Sequence, residues 1–115
     1  DNHVALAGGI RPAIQCAKIG LGHMVKIEIE VDTLEQLDEA LSEGVDAVLL
    51  DNMGPDLLRQ AVGLINGRAM SEASGRITAD QVPAIAATGV DIISAGWITH
   101  SAPSLDLGLD FGVTA

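Results

Sequence analysis

Short apolar runs in this chain close on a small or acidic residue at a nearly constant interval. They end at Glu30 in KIEIEVD, Asp51 in AVLLDN, Ser74-Gly75 in EASGRI and Gly96 in ISAGWITHS, spaced 21, 23 and 22 residues apart. Helix-like sequence follows at least the first three. A repeat of this length, strand then helix, describes tandem β/α units on a parallel sheet. In a parallel β/α barrel the C-terminal strand ends share one face, and active sites sit there. The spacing therefore predicts that two carboxylates, a Ser-Gly turn and a Gly turn line one mouth, a binding site for a charged ligand.

Length limits the architecture. A closed eight-unit barrel needs about 250 residues, and this chain has 115, 48% of them hydrophobic. The expected fold class is α/β, the C-terminal part of an open, incomplete parallel α/β barrel (TIM-like). The chain opens on Asp1 rather than Met, and DNHVALAGGI reads as the loop after a strand outside it. Residues 1–115 are thus expected to be the C-terminal portion of a barrel catalytic domain, with an N-terminal domain absent.

A formal charge of −10, with one Phe, one Trp and no Tyr, argues against nucleic-acid binding. No run is long and apolar enough to suggest a membrane span, and a lone Cys16 rules out an internal disulfide. A reducing, cytoplasmic setting is expected. If the ligand is anionic, most of its cationic partners must come from outside this chain.

Periodicity places the elements. Residues 11–22 read as a helix with Pro12 near its first turn and Ile10, Ile14, Ala17 and Leu21 on one stripe. Residues 24–31 read as a strand with Ile27, Ile29 and Val31 on one face and Lys26, Glu28 and Glu30 on the other. Thr33 and Gln36 form a capping box before a helix buried through Leu34, Leu37 and Leu41 and ended by Gly44. Residues 46–50 read as a strand buried on both faces. A helix then starts within 52–56 and runs to about Asn66, stopped by Gly67. A strand at 68–73, a helix at 78–88 and a strand at 91–95 follow. The LDLGLDF tail reads as a short helix or strand capping the barrel.

Each candidate site residue has a plainer alternative. Glu28 and Glu30 either face a barrel interior, where carboxylates need cations or hydrogen bonds, or belong to the solvent face of an edge strand with Lys26. Asp51 ends an apolar strand ahead of Asn-Met-Gly-Pro, as a mouth carboxylate or an Asx-type turn residue. Ser74-Gly75 and Gly96 suit close backbone approach to a phosphate, and ordinary β/α turns use the same residues. His100 lies within reach of the Gly96 turn. His23 reads as a solvated loop residue, Cys16 as a small core residue, and the three His residues lack a zinc-ligand spacing. Neither GxSxG, a P-loop nor GxGxxG occurs; Gly8-Gly9 lacks the following glycine.

The blocks DNHVALAGGIR, KIEIEVDTLEQLDEAL, VLLDNM, EASGRIT, ATGVDIIS and THSAPSLDLGLDF, in that order, resemble the C-terminal half of the quinolinate phosphoribosyltransferase family over nearly the whole chain. The resemblance implies an enzyme of NAD biosynthesis. Such enzymes join quinolinate to phosphoribosyl pyrophosphate with Mg2+, releasing pyrophosphate and CO2 and giving nicotinate mononucleotide. It implies an N-terminal sandwich ahead of an open barrel, and a homodimer or higher oligomer. It assigns Glu30 and Asp51 to the ribose hydroxyls and the metal, as catalytic and metal-binding carboxylates. It assigns Ser74, Gly75, Gly96 and His100 to the 5-phosphate loops. The quinolinate-binding Arg and Lys residues of the family lie mainly ahead of DNH, so the chain alone is expected to be inactive.

Two positions depart from the family pattern: Arg76 stands where a second Gly is common after Ser-Gly, and Trp97 replaces a usually small residue. Two other readings are a non-catalytic half-barrel that binds sugar phosphate weakly and the related molybdenum-transport-associated family. The DNH and LLDNM blocks favour the transferase over the latter.

Overall fold

The computed structural model describes residues 2–109 and 112. Helices α1 (Asn2–Ala7) and α2 (Ile10–Gly20) precede strand β1 (Glu28–Val31). Then follow α3 (Leu34–Glu43), β2 (Ala47–Asp51), α4 (Pro55–Ile65), β3 (Met70–Ser74), α5 (Val82–Ala86), β4 (Ile92–Ile93) and α6 (Trp97–His100). The strands form one parallel sheet in chain order, β1-β2-β3-β4. This is the expected run of β/α units.

Register sorts the side chains into two faces. Val31, Leu50, Ala73 and Ile93 stand in one row, and Ile29, Val48 and Ser71 in another on the same face. Val31, Val48 and Leu50 are fully buried there beneath Ile14 of α2, Leu37 and Ala40 of α3, and Leu58 and Ala61 of α4. The other face carries Glu28, Ala47 and Met70, then Glu30, Leu49, Glu72 and Ile92, with Asp51 and Ser74 last.

Local chemistry fixes the helix ends. Thr33 Oγ1 accepts from the Gln36 amide at 3.2 Å, and Gln36 Oε1 accepts from the Thr33 amide at 3.3 Å, completing the capping box. Gly44 closes α3 with φ 73°, a conformation that favours glycine. Pro55 opens α4 at its first turn, where a missing N–H costs least.

Each of the strands β2 and β4 is tied at its lower end by an aspartate. The Ile27 amide donates to Asp46 Oδ2 at 2.8 Å, and the Asp46 amide donates back to the Ile27 carbonyl at 3.0 Å. Both the Ser71 amide (2.8 Å) and its hydroxyl (2.6 Å) donate to Asp91 Oδ2, while the Asp91 amide returns to Ser71. The two aspartates sit in matching Gly-Val-Asp triplets at 44–46 and 89–91, so the same clamp sets register twice.

Several expectations are corrected. The N-terminal segment is the helix α1 rather than a loop. Residues 24–27 lie outside β1, because β2 begins opposite Glu28 and offers them no ladder. Strand β2 alternates between buried and half-buried residues, since helices cover only one face. The helix expected at 78–88 shrinks to Val82–Ala86: the Pro83 ring cannot coexist with a helical carbonyl four residues earlier. Cys16 is exposed, two residues past buried Ile14 and so on the opposite side of α2. Residues 102–109 form neither helix nor strand and are exposed, and Asp110 and Phe111 lie outside the described residues.

The Ser71 hydroxyl first, then its amide, hold the Asp91 carboxyl below its ordinary value of 3.8. A depressed carboxyl stabilises the fold above 3.8, and that contribution is lost as pH falls through the lower folded value. Asp91→Ala is expected to cost about 1 kcal/mol at neutral pH, the low end for a charged hydrogen bond exposed to solvent. Chemical denaturation from pH 2 to 7 should show the variant converging on the parent at the acid end.

Candidate functional site

Parallel strands bring their C-terminal ends to one rim, and the sequence sets acidic residues there. Glu30 on β1 and Asp51 on β2 point from the face opposite the core, and both are half-buried. Asp32 follows β1 directly. One carboxylate oxygen from each of Glu30, Asp32 and Asp51 lies within 4.8 Å of the others. This is an all-oxygen donor set, the kind that suits a hard divalent cation such as Mg2+. The expected pair therefore meets, and Asp32 joins it as a residue the strand alternation did not single out.

Deeper on the same face, Glu28 and Glu72 form a second acidic contact. They reach each other across β2, where Ala47 stands beside Glu28 and Leu49 beside Glu72. The Ser94 hydroxyl donates to Glu72 Oε1. The Glu28 carboxyl is raised above its ordinary value of 4.5, chiefly by loss of solvation, then by the hydrogen bond its protonated form donates to Glu72 and by that group's negative charge. The choice between barrel interior and edge strand thus resolves in two parts: β1 has no outer neighbour among the described residues, while its acidic face is the one that carries Asp51. Glu72 escaped sequence reading; its spacing of two from Ser74 is the signal that would have found it.

The Ser74-Gly75 turn packs against Asp51's neighbour. The Asn52 amide donates to the Ser74 carbonyl at 3.0 Å, and Asn52 Nδ2 donates to Asp51 Oδ2. Gly75 has φ 95°, and a Cβ there would fall 2.6 Å from both Cγ and the backbone nitrogen of Asn52. No other residue fits this turn without moving Asn52. Arg76 follows with φ 50°, which explains in backbone terms why glycine suits the position; its exposed guanidinium borders a cavity of about 270 Å3 with Asn52, Gly54 and Gly75.

Strand β4 delivers the Gly96 turn to the same rim, next to the end of β3. The His100 ring lies over Gly96, where an added Cβ would sit 3.2 Å from Nε2, and His100 Nδ1 is 2.6 Å from Ser101 Oγ. Gly96 and His100 therefore do form one local unit. Trp97 begins α6 half-buried, and its Nε1 is buried with no hydrogen-bond partner among the described residues. His23 is exposed in its loop, as expected. His3, given no role from sequence, borders a cavity of about 730 Å3 together with Glu28, Glu30 and Leu49.

A parallel β/α sheet with carboxylates and glycine turns gathered at its strand ends defines part of an α/β-barrel protein. The chain belongs to the family of the quinolinate phosphoribosyl transferase C-terminal domain, whose pattern matches residues 1–110. It is 46% identical over 110 residues to a probable nicotinate-nucleotide pyrophosphorylase [carboxylating] of Bacillus subtilis, covering 96% of this chain and 38% of that protein. It is 38% identical to the human nicotinate-nucleotide pyrophosphorylase [carboxylating], covering 95% of this chain and 38% of that protein. The crystal structure of nicotinate-nucleotide pyrophosphorylase from Ehrlichia chaffeensis superposes with a TM-score of 0.84 at 44% identity, over 88% of this chain and 36% of that one. The chain thus spans well under half the length of these relatives.

Because Glu28 is easier to protonate in the fold than in the unfolded chain, its contribution is fully present below 4.5 and is lost as pH rises through the raised folded value. Glu28→Gln keeps a donor toward Glu72 without the charge. It is expected to be more stable than the parent at neutral pH and equal to it near pH 4, as read by thermal melts across that range.

Proposed function

We propose that this chain supplies the ribose-phosphate half of a quinolinate phosphoribosyltransferase site. In the full-length protein that site forms nicotinate mononucleotide, pyrophosphate and CO2 from quinolinate and phosphoribosyl pyrophosphate, a step of NAD biosynthesis. The observation that carries this reading is the meeting of Glu30, Asp32 and Asp51 at the rim that also holds the Ser74-Gly75 turn.

The chemistry follows from the charges. Breaking the bond between the anomeric carbon and pyrophosphate builds positive, oxocarbenium-like charge on the ribose. Glu30 and Asp51, fixed at their strand ends, stabilise that charge and hold the ribose hydroxyls. Ser74, Gly75, Gly96 and His100 hold the 5-phosphate through backbone amides, the hydroxyl and the ring. The anchored phosphate orients the reacting centre from a distance. Glu30 and Asp51, with Asp32, would hold Mg2+, which neutralises charge on the pyrophosphate when bound.

Recognition of the two quinolinate carboxylates calls for Arg and Lys. Among the described residues the mouth sets Arg76 at its rim beside its carboxylates and small turns, and on this reading the further cations belong to the remainder of the longer protein. The same reading makes residues 1–115 the C-terminal portion of the catalytic barrel domain, in a cytoplasmic homodimer or larger homo-oligomer acting on small molecules rather than nucleic acid. No helix among the described residues is long and apolar enough to cross a membrane.

The test assays the full-length protein, this chain alone and full-length Asp51→Ala for quinolinate-dependent release of pyrophosphate. Activity is expected only at full length, with Asp51→Ala lowering kcat by about 100-fold or more and the melting temperature by little. Turnover by the isolated chain, or equal losses of rate and stability in the variant, would overturn the assignment.

A further inference from the structure

We infer that Asn52 is a positioning residue: it locks the Ser74-Gly75 turn to the Asp51 carboxylate, so that the two sides of the mouth are held as one piece. This rests on the reading above, in which Asp51 serves the cation and ribose and the turn serves the phosphate.

Three different parts of Asn52 make the lock. Its backbone amide donates to the Ser74 carbonyl at 3.0 Å. Its carboxamide nitrogen donates to Asp51 Oδ2. Its carboxamide carbon and oxygen fill the space that a Cβ on Gly75 would need. The register already sets Asp51 beside Ser74, and Asn52 closes the next position, where both strands have ended.

The residue type is dictated by these demands together. Asn52 has φ 53°, and asparagine tolerates the left-handed region better than most residues. Only a side chain with a donor can satisfy Asp51 without adding a like charge. Aspartate has the shape but not the donor, and glycine has the backbone freedom but no side chain. Gly75 is the complementary half: its missing Cβ lets Asn52 stand between turn and carboxylate.

The test measures binding of inorganic phosphate and of Mg2+ by calorimetry in the full-length protein, for the parent, Asn52→Gly, Asn52→Asp and Asp91→Ala. Asn52→Gly suits the backbone and removes the side chain. It is expected to weaken both ions about tenfold or more, the weight of a hydrogen bond to a charged group. Asn52→Asp is expected to weaken phosphate at least as much. Asp91→Ala, which loosens the far end of the sheet, should lower the melting temperature and leave both affinities unchanged.

The inference is overturned if Asn52→Gly weakens one ion only or neither, if Asn52→Asp binds phosphate like the parent, if Asp91→Ala loses as much affinity as Asn52→Gly, or if the parent binds neither ion. A parent that binds both ions, loses both in Asn52→Gly, and forms no nicotinate mononucleotide would remove the proposed reaction and leave the lock standing.

Discussion

Everything at the mouth depends on the hydrogen-bond register of four parallel strands. Side chains alternate across a sheet, so a slip of one residue exchanges its faces. In the observed register Val31, Leu50 and Ala73 are buried under the helices, while Glu30, Leu49 and Glu72 face away from them. A slip would drive unpaired carboxylates beneath α3 and α4, at a cost of several kcal/mol each. The helices hold the sheet by burying one row, and in doing so they aim the other. The Asp46 and Asp91 clamps fix the same register toward the lower end, before Glu30, Glu72 and Asp51 are reached.

Elements with signals of their own were legible in the sequence. The capping box places the start of α3, Gly44 its end, and Pro55 the start of α4; none needs tertiary information. Elements set by a competing constraint were not. Pro83 shortens α5 although Ile85 stays buried within it, and residues 24–27 have good strand composition but no strand to pair with. Cys16 was misplaced by composition, which favours burial, against helical phase, which turns it outward.

The site divides in the same way. Glu30 and Asp51 end apolar runs, so the chain marks them directly. Glu72 lies in a polar stretch, SEAS, and gains meaning only when register sets it in Glu30's row and across β2 from Glu28. Asp32 lies past the last strand residue, where alternation no longer says which way a side chain points. Gly75 reads as ordinary turn chemistry until the position of Asn52 shows what its missing Cβ makes possible. Pairwise contacts across strands are the part that one-dimensional pattern cannot supply.

The acidity of this mouth itself constrains what it can serve. Glu28, Glu30, Glu72 and Asp51 stand along one face of the sheet, with Asp32 directly after β1, so that face concentrates negative charge. Such a face suits a cation, or something that becomes positive. The Glu28 carboxyl in the deeper pair is raised chiefly by loss of solvation, and the triad at the rim offers three carboxylate oxygens to a cation. A dianionic pyridine would meet repulsion from these same groups. On the proposed reading, the acidic face suits the sugar centre, whose charge turns positive as its bond to pyrophosphate breaks, and pyridine recognition falls to cationic groups in the remainder of the longer protein.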